Sequence, residues 1–258
     1  MNEKIGIIIP AYNEEKRISK ILEDYCTFFR KNKENFELIV VLNNCHDNTS
    51  GIVKKIKKKF KEIVILDFKQ GGKGFAIAEG FKEALKRNCD FIGFVDADMA
   101  TGAEAFYDLL KNLENQDGII ANRYHKKSVI NPKQPLDRII ASRGFNVLVR
   151  LLFLFKFKDT QCGAKIFKKK VVERILPNLS ITQWAFDIDL LYQTHKSNFK
   201  IKEHPTIWSD IGGSKINLQK SSLQMFLAVC RLRAINSRFK ETWRIFKPLS
   251  IFLYKFTK

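Results

Sequence analysis

Apolar and polar residues alternate with two rhythms over roughly the first half of the chain. Ile5–Ile9 is a short apolar run closed by Pro10, a buried-strand signal. A polar helix is predicted from about Glu14 to Lys31, with Ile18, Ile21, Leu22 and Tyr25 at helical spacing. The pattern then repeats. Leu38–Leu42, Ile63–Asp67 and Phe91–Val95 read as strands, Asn48–Phe60 and Lys73–Arg87 as the helices between them. Strand–helix repeats of this length predict an α/β fold with a mostly parallel sheet and helices on both faces. In such sheets ligands bind outside the carboxyl ends of the strands. The polar clusters fall there: Tyr12-Asn13-Glu14, Asn43–Asp47, Gln70–Lys73 and Asp96–Asp98.

The second half is less regular. Asn131–Pro135 reads as a loop, Leu136 to about Lys156 as a basic and apolar helix, and Asp159–Gly163 as a polar loop. Ala164–Phe167 and Ile201–Ser209 are predicted strands, and Phe186–His195 a helix. Without repeats or low-complexity linkers, the expected division is one catalytic-sized domain over 1–238 and a basic amphipathic helical appendage over 239–258.

Composition narrows the class. A hydrophobic content of 45%, with 22 Phe, suffices for a packed core and excludes disorder. The longest strongly apolar run, Val147–Phe157, is interrupted by Arg150 and Lys156, well short of the ~18 apolar residues of a spanning helix. Five cysteines without CxxC spacing argue for a reducing compartment, and no signal peptide precedes the first strand, so a cytoplasmic location is expected. The net charge of +19 calls for an anionic partner: nucleic acid, a phosphorylated substrate or an anionic membrane. Lys54–Lys61 reads as a solvated helix face. Lys215–Lys258 holds ten Lys/Arg against Glu241 alone and is also rich in large apolar residues.

Asp96-Ala97-Asp98 places two carboxylates at a strand end, suited to a hard divalent cation and its phosphates; an ordinary turn is the competing reading. Gly71-Gly72-Lys73-Gly74 opens a helix and can aim N–H groups and a lysine at phosphate, but lacks the GxxxxGK[ST] frame of an ATPase loop. There is no GxSxG, and no RNP-like interleaving of aromatic and basic residues.

Ile9-Pro10-Ala11-Tyr12-Asn13-Glu14-Glu15, Gly72-Lys73-Gly74 and Val95-Asp96-Ala97-Asp98 in this order resemble a family 2 glycosyltransferase of GT-A fold. Asp159-Thr160-Gln161-Cys162-Gly163-Ala164-Lys165, Trp184–Leu191 and Trp208–Lys215 resemble the dolichyl-phosphate β-glucosyltransferase branch, and the likeness covers roughly residues 4–238. The resemblance implies that Pro10, Ala11, Tyr12 and Glu14 line a nucleotide pocket, that Asp96 lies near the ribose, and that Asp98 holds Mg²⁺ or Mn²⁺ on the diphosphate. Lys73 and Arg123 are implied to lie near the phosphates or the acceptor, with Gln161 and Asp187 on the acceptor side. One element departs from the family. Where it carries an Asp-Asp-Gly-Ser-like stretch, this chain has Leu42-Asn43-Asn44-Cys45-His46-Asp47, so Asn43 would meet a uracil N–H through an uncharged amide oxygen.

The expectation is therefore inverting transfer of a sugar, glucose from UDP-glucose by resemblance, to a polyisoprenyl phosphate. A hydroxyl acceptor is the alternative, with Asp187 as general base or else as a helix-capping acid. A nucleic-acid-binding protein would explain the charge and leave Asp96 and Asp98 without a task. Leu249, Phe252, Leu253 and Phe256 fall on one helical face of the tail, which fits peripheral association with an anionic membrane or packing against protein.

Overall fold

Each central strand sends alternate side chains to opposite faces of one sheet, and that alternation sorts the core into layers. The computed structural model describes residues 3–132, 136–180, 185–209 and 218–237. Strands β1 (Ile5–Ala11), β2 (Phe36–Asn43), β3 (Ile63–Phe68) and β4 (Phe91–Phe94) alternate with helices α1 (Ile18–Lys31), α2 (Thr49–Lys57) and α3 (Lys73–Lys86). Ile5, Ile7 and Ile9 of β1 and Leu38, Val40 and Leu42 of β2 pack with α1, α2 and α4 (Ala103–Lys111). Ile8, Ile39 and Val41 pack on the other face against α3, α6 (Lys169–Ile175) and α7 (Phe186–Lys196).

The sheet has seven strands in the order β3-β2-β1-β4-β7-β5-β8, with β5 at Gly118–Ala121, β7 at Lys165–Lys168 and β8 at Ile201–His204. All pairs are parallel except those made by β7, which runs antiparallel between β4 and β5. The chain winds outward from β1 to β3 and then crosses back to β4. The switch point therefore lies between the carboxyl ends of β1 and β4.

A third core lies beneath the second half. Ile120 of β5 meets Val149 and Phe153 of α5 (Leu136–Phe153), Ile188 and Leu191 of α7, and Val229 and Leu232 of α8 (Leu218–Ile235). A two-stranded parallel ladder, β6 (Val129–Ile130) with β9 (Ile207–Trp208), closes one edge.

Several expectations are corrected. β1 does not stop before Pro10 but continues to Ala11. The carbonyl of Ile8 accepts from Val95 on the β4 side, and Pro10, two residues on, faces that side beyond the last β1–β4 pair, Ile8 with Phe94. Its missing N–H therefore costs no ladder bond. Ile201–Ser209 is not one strand: Pro205 separates β8, paired to β5, from β9, paired to β6. The helix from Leu136 ends at Phe153 rather than near Lys156, because Leu154 takes a left-handed backbone with φ 57°. α4, β5, β6 and α6 were not anticipated; β5 and β6, at four and two residues, are too short to carry a period. The tail over 239–258, Trp184 and residues 210–217 lie outside the described residues.

Leu232 is fully buried in the third core. Leu232→Ala should thus cost about 2–5 kcal/mol in urea unfolding, within a single transition. An unchanged midpoint would show that α8 is an appendage and not core.

Candidate active site

The switch point brings the ends of β1 and β4 together, so Tyr12-Asn13-Glu14 and Asp96-Ala97-Asp98 leave adjacent strands at one mouth. Lys73, the first residue of α3, projects into it, and its two glycine neighbours explain how. Gly72 has φ 126°, a conformation open to glycine, and its N–H donates to Asn43 Oδ1 at 3.1 Å. At Gly74 a Cβ would fall 2.7 Å from the Phe186 ring, so glycine lets α7 approach.

A chain of charges crosses this mouth. Lys73 Nζ lies 2.6 Å from Asp96 Oδ1 and 3.7 Å from Asp187 Oδ2. Asp187 Oδ1 lies 2.5 Å from Lys165 Nζ, which also donates to the Cys162 carbonyl at 2.6 Å. Lys165 is fully buried on β7, with its ammonium 5.3 Å from the Phe94 ring centroid. Burial works against an ionised Asp187, but Lys165 and then Lys73 outweigh it and hold its carboxyl below the usual range. Desolvation likewise opposes the Lys73 ammonium, and Asp187 and Asp96 reverse that, raising its pKa. Asp187 is not a helix cap: Ala185 occupies the N-cap of α7, without a side-chain capping bond.

Asp98 is different. Its Oδ1 accepts from the Ala100 N–H at 3.0 Å, and burial followed by repulsion from Asp96 raises its pKa. Asp96, Asp98 and Asp187 set against Lys73 and Lys165 leave one negative charge, three minus two, and among the described residues Asp98 is the one of the three carboxylates in no ion pair. No group of three or more His, Cys, Asp or Glu able to hold a metal occurs among the described residues. A cage built of protein alone is thus missing there. A carboxylate destabilised by burial and by a like charge, at an open mouth, still fits a cation that takes its other ligands from substrate phosphates.

The remaining predicted residues divide. Pro10 and Ala11 are buried in β1, and Tyr12 is 53% exposed at its end. Glu14 pairs with Arg17 at 2.7 and 2.9 Å, while its N–H donates to Thr49 Oγ1. With Asn13 Oδ1 accepting from the His46 N–H, these bonds stitch the loop after β1 to the loop after β2. Asn43 is 4% exposed and ties the end of β1 to the turn before α3, Nδ2 donating to the Ala11 carbonyl and Oδ1 accepting from Gly72. The amide oxygen expected for a uracil N–H is thus engaged by backbone. Arg123 is engaged within the protein: its guanidinium grips Asp159 at 2.8 and 2.9 Å and lies 5.4 Å from the Trp208 ring centroid. Gln161 is partly exposed, and among the described residues its amide has no hydrogen-bond partner.

Sequence reasoning gave no role to Lys165, Asp159 or Asp189. Lys165 carried a signal: on a strand with period two it shares a face with Phe167, so it points a cation into a core. Asp159 is fully buried, and Arg123 overrides burial to keep its carboxyl below the usual range. Asp189 receives the N–H and hydroxyl of Ser180 at 2.6 and 2.8 Å, anchoring the segment before α7. The φ of Gly163 is unremarkable, yet a Cβ there would fall 2.0 Å from Asp96 Oδ2.

A sheet of this order with an acidic pair and a lysine at its switch point has the architecture of the GT-A sugar transferases. The chain belongs to glycosyl transferase family 2, whose family model matches residues 6–176, and it is a glycosyltransferase. It is 34% identical over 246 residues to a dolichyl-phosphate β-glucosyltransferase of Dictyostelium discoideum, covering 90% of this chain and 74% of that one. The Homo sapiens protein of the same name is 31% identical over 260 residues, covering 94% and 78%. Among solved structures, glucosyl-3-phosphoglycerate synthase from Mycobacterium tuberculosis, in complex with Mn²⁺, UDP and phosphoglyceric acid, superposes with a TM-score of 0.66 at 16% identity, covering 92% of this chain and 80% of that one. The same enzyme with Mn²⁺ and UDP-glucose gives 0.65 at 14% identity, covering 92% and 81%.

Two outcomes test this geometry. Gly163→Ala should displace Asp96 and lower kcat by about tenfold or more, with little change in the melting temperature. Lys165→Met should cost about 3–5 kcal/mol in denaturant unfolding at neutral pH, because it strips a buried carboxylate of its main partner. In the wild type the depressed Asp187 pKa contributes stability above about pH 4, lost as pH falls through the native value. In Lys165→Met that contribution should shrink, so stability should fall less steeply below about pH 4 and the deficit against the wild type should narrow as pH falls.

Proposed function

We propose that the chain transfers glucose, with inversion, from UDP-glucose to dolichyl phosphate or a related polyisoprenyl phosphate at the cytoplasmic face of a membrane. The names of its curated relatives support the acceptor and the sugar, and the nucleotide complexes of its structural neighbours support the donor. The observation that carries the reading is the double ion pairing of Asp187. A carboxylate held between two ammoniums, with its pKa depressed, is a weak base. An acceptor hydroxyl must lose a proton, whereas a phosphate monoester is already largely anionic at neutral pH.

In the reaction an acceptor phosphate oxygen attacks the anomeric carbon as the bond from that carbon to the donor diphosphate breaks. The electron pair of that bond leaves on the diphosphate. Lys73 supplies fixed positive charge at the mouth where that charge develops, and Asp96 and Asp187 hold its ammonium in place. Lys165 in turn fixes Asp187, so the constellation is set before substrate arrives. Asp98 would hold Mg²⁺ or Mn²⁺, which when bound neutralises the leaving diphosphate. Tyr12, exposed beside the mouth, would flank the base in this reading, with Pro10, Ala11, Glu14 and Asn43 behind it. Gln161 is proposed on the acceptor side, and Arg123 acts there only through the loop it braces. Residues 1–238 form the catalytic domain and 239–258 a membrane-associating tail in this reading. No described helix is long and apolar enough to cross a membrane.

Asp98→Asn should lower transfer by about 10²-fold or more without lowering the melting temperature in EDTA, since it relieves a buried repulsion. EDTA should abolish wild-type turnover reversibly, and Mn²⁺ should raise the melting temperature of the wild type but not of the variant. Full activity in excess chelator would rule out the metal-dependent step.

Acceptor chemistry is tested by comparing a short prenyl phosphate with the matching prenyl alcohol, following UDP release. Only the phosphate should react. Asp187→Asn should fall well short of the ~10²–10⁴-fold loss that follows deletion of a general base. Equal turnover of the two acceptors would assign a hydroxyl acceptor, with Asp187 as its base.

A further inference from the structure

Lys73 brings positive charge to the mouth, yet the group it touches most closely is one of the two strand-end carboxylates. Its Nζ lies 2.6 Å from Asp96 Oδ1, nearer than the 3.7 Å to Asp187 Oδ2. Asp96 is confined at its other oxygen as well, since a Cβ on Gly163 would fall 2.0 Å from Oδ2. One oxygen of Asp96 therefore carries an ammonium and the other is pressed against the chain. Only Ala97 separates Asp96 from Asp98, so that ammonium already neutralises half of the acidic pair.

The backbone beneath Lys73 is fixed. Gly72, with φ 126°, donates to Asn43 Oδ1, and its carbonyl accepts from the Ala76 N–H at 3.0 Å. These bonds hold the first turn of α3, whose end adds the positive pole of the helix to the same mouth.

Charge counting gives the consequence. The three carboxylates and two lysines leave one negative charge, so a divalent cation alone would turn the mouth positive, minus one plus two. A nucleotide diphosphate arriving with the cation cancels that excess and gives Lys73 a further anion to face. Without Lys73 the same groups would carry two negative charges, three minus one, and the cation alone would balance them. Charges this close in a partly desolvated site act on one another strongly.

We infer that Lys73 is a resident counter-cation of the Asp96–Asp98 pair, which keeps metal affinity low until the nucleotide diphosphate binds. The chain then takes up its metal as an escort of the substrate. The inference rests on Asp98 as the carboxylate that holds the metal, and adds the order of binding that this reading leaves open.

The test is a Mn²⁺ titration of the full chain, followed by the electron paramagnetic resonance of free Mn²⁺, with and without UDP. The wild type should bind Mn²⁺ weakly by itself, and saturating UDP should tighten it by about tenfold or more. Lys73→Gln should bind Mn²⁺ alone about tenfold or more tightly than the wild type, and the factor gained from UDP should shrink accordingly. By reciprocity, the factor by which Mn²⁺ tightens UDP should shrink equally. Asp187 keeps Lys165 at 2.5 Å in this variant, so circular dichroism should show a native fold. Lys73→Arg, which retains the charge, should follow the wild type, as should Lys82→Gln, an exposed lysine farther along α3 paired with Glu79. Wild-type affinity for Mn²⁺ that UDP leaves unchanged overturns the proposal without any variant. So does Lys73→Gln that binds Mn²⁺ alone no more tightly than the wild type. If Asp98→Asn abolishes binding of Mn²⁺ in UDP while Lys73→Gln changes nothing, only the order of binding falls. If Asp98→Asn leaves that binding intact, the assignment of the metal to Asp98 falls with it.

Discussion

Asp187 sits between Lys165 and Lys73, and each of the three charges is tolerable only because of the others. Lys165 is fully buried on a strand, where an ammonium without a counter-ion would lose its hydration for nothing. Its contacts to Asp187 and to the Cys162 carbonyl compensate that loss, and Lys73 completes the neutralisation of Asp187 from the opposite side. The links join β7, α7 and α3, and through Asp96 they reach the end of β4. Four elements from both halves of the chain are thus fixed around one mouth, and the small residues Gly74 and Gly163 mark where they come closest.

The same arrangement sorts the carboxylates by function. Asp96 and Asp187 are tied to lysines and serve to place charge. Asp98 is held by a single backbone bond and opposed by its neighbour, so it gains most from a cation arriving with substrate. A site that keeps its positive charges paired until a diphosphate arrives avoids the repulsion that bare lysines would feel toward each other. This is preorganisation by internal ion pairs, and it makes a strong general base unnecessary when the acceptor is itself anionic.

Around this centre the loops are held by short polar side chains. Asn13, Asn43, Asp47 and Thr49 bind backbone groups at the ends of β1 and β2 and in the loops that follow, alongside the Glu14–Arg17 ion pair. Arg123 and Asp159 brace the loop after β5 against the one before β7. Farther out, α5 covers the third core with one face.

Much of this was legible in the amino-acid sequence, and what was not has a common cause. The short continuous apolar runs of Ile5–Ile9 and Leu38–Leu42, and the period of 3.6 in the helices between, determined the first strand–helix repeats because those signals are local. Asp96, Asp98 and Lys73 were found by the same means, as polar residues that follow strands or open a helix. Pro10 misled because whether a missing N–H matters depends on which neighbour that side of the strand faces, and only the sheet order states it. Lys165 and Asp187 lie 22 residues apart, and Arg123 and Asp159 lie 36 apart. Only the insertion of antiparallel β7 between β4 and β5 brings these partners into contact. Periodicity acts over one or two turns of chain. The choice of which lysine is buried, which arginine braces a loop and which carboxylate stays free for a cation is made by long-range packing, because the cost of burying a charge is settled only by what packs against it.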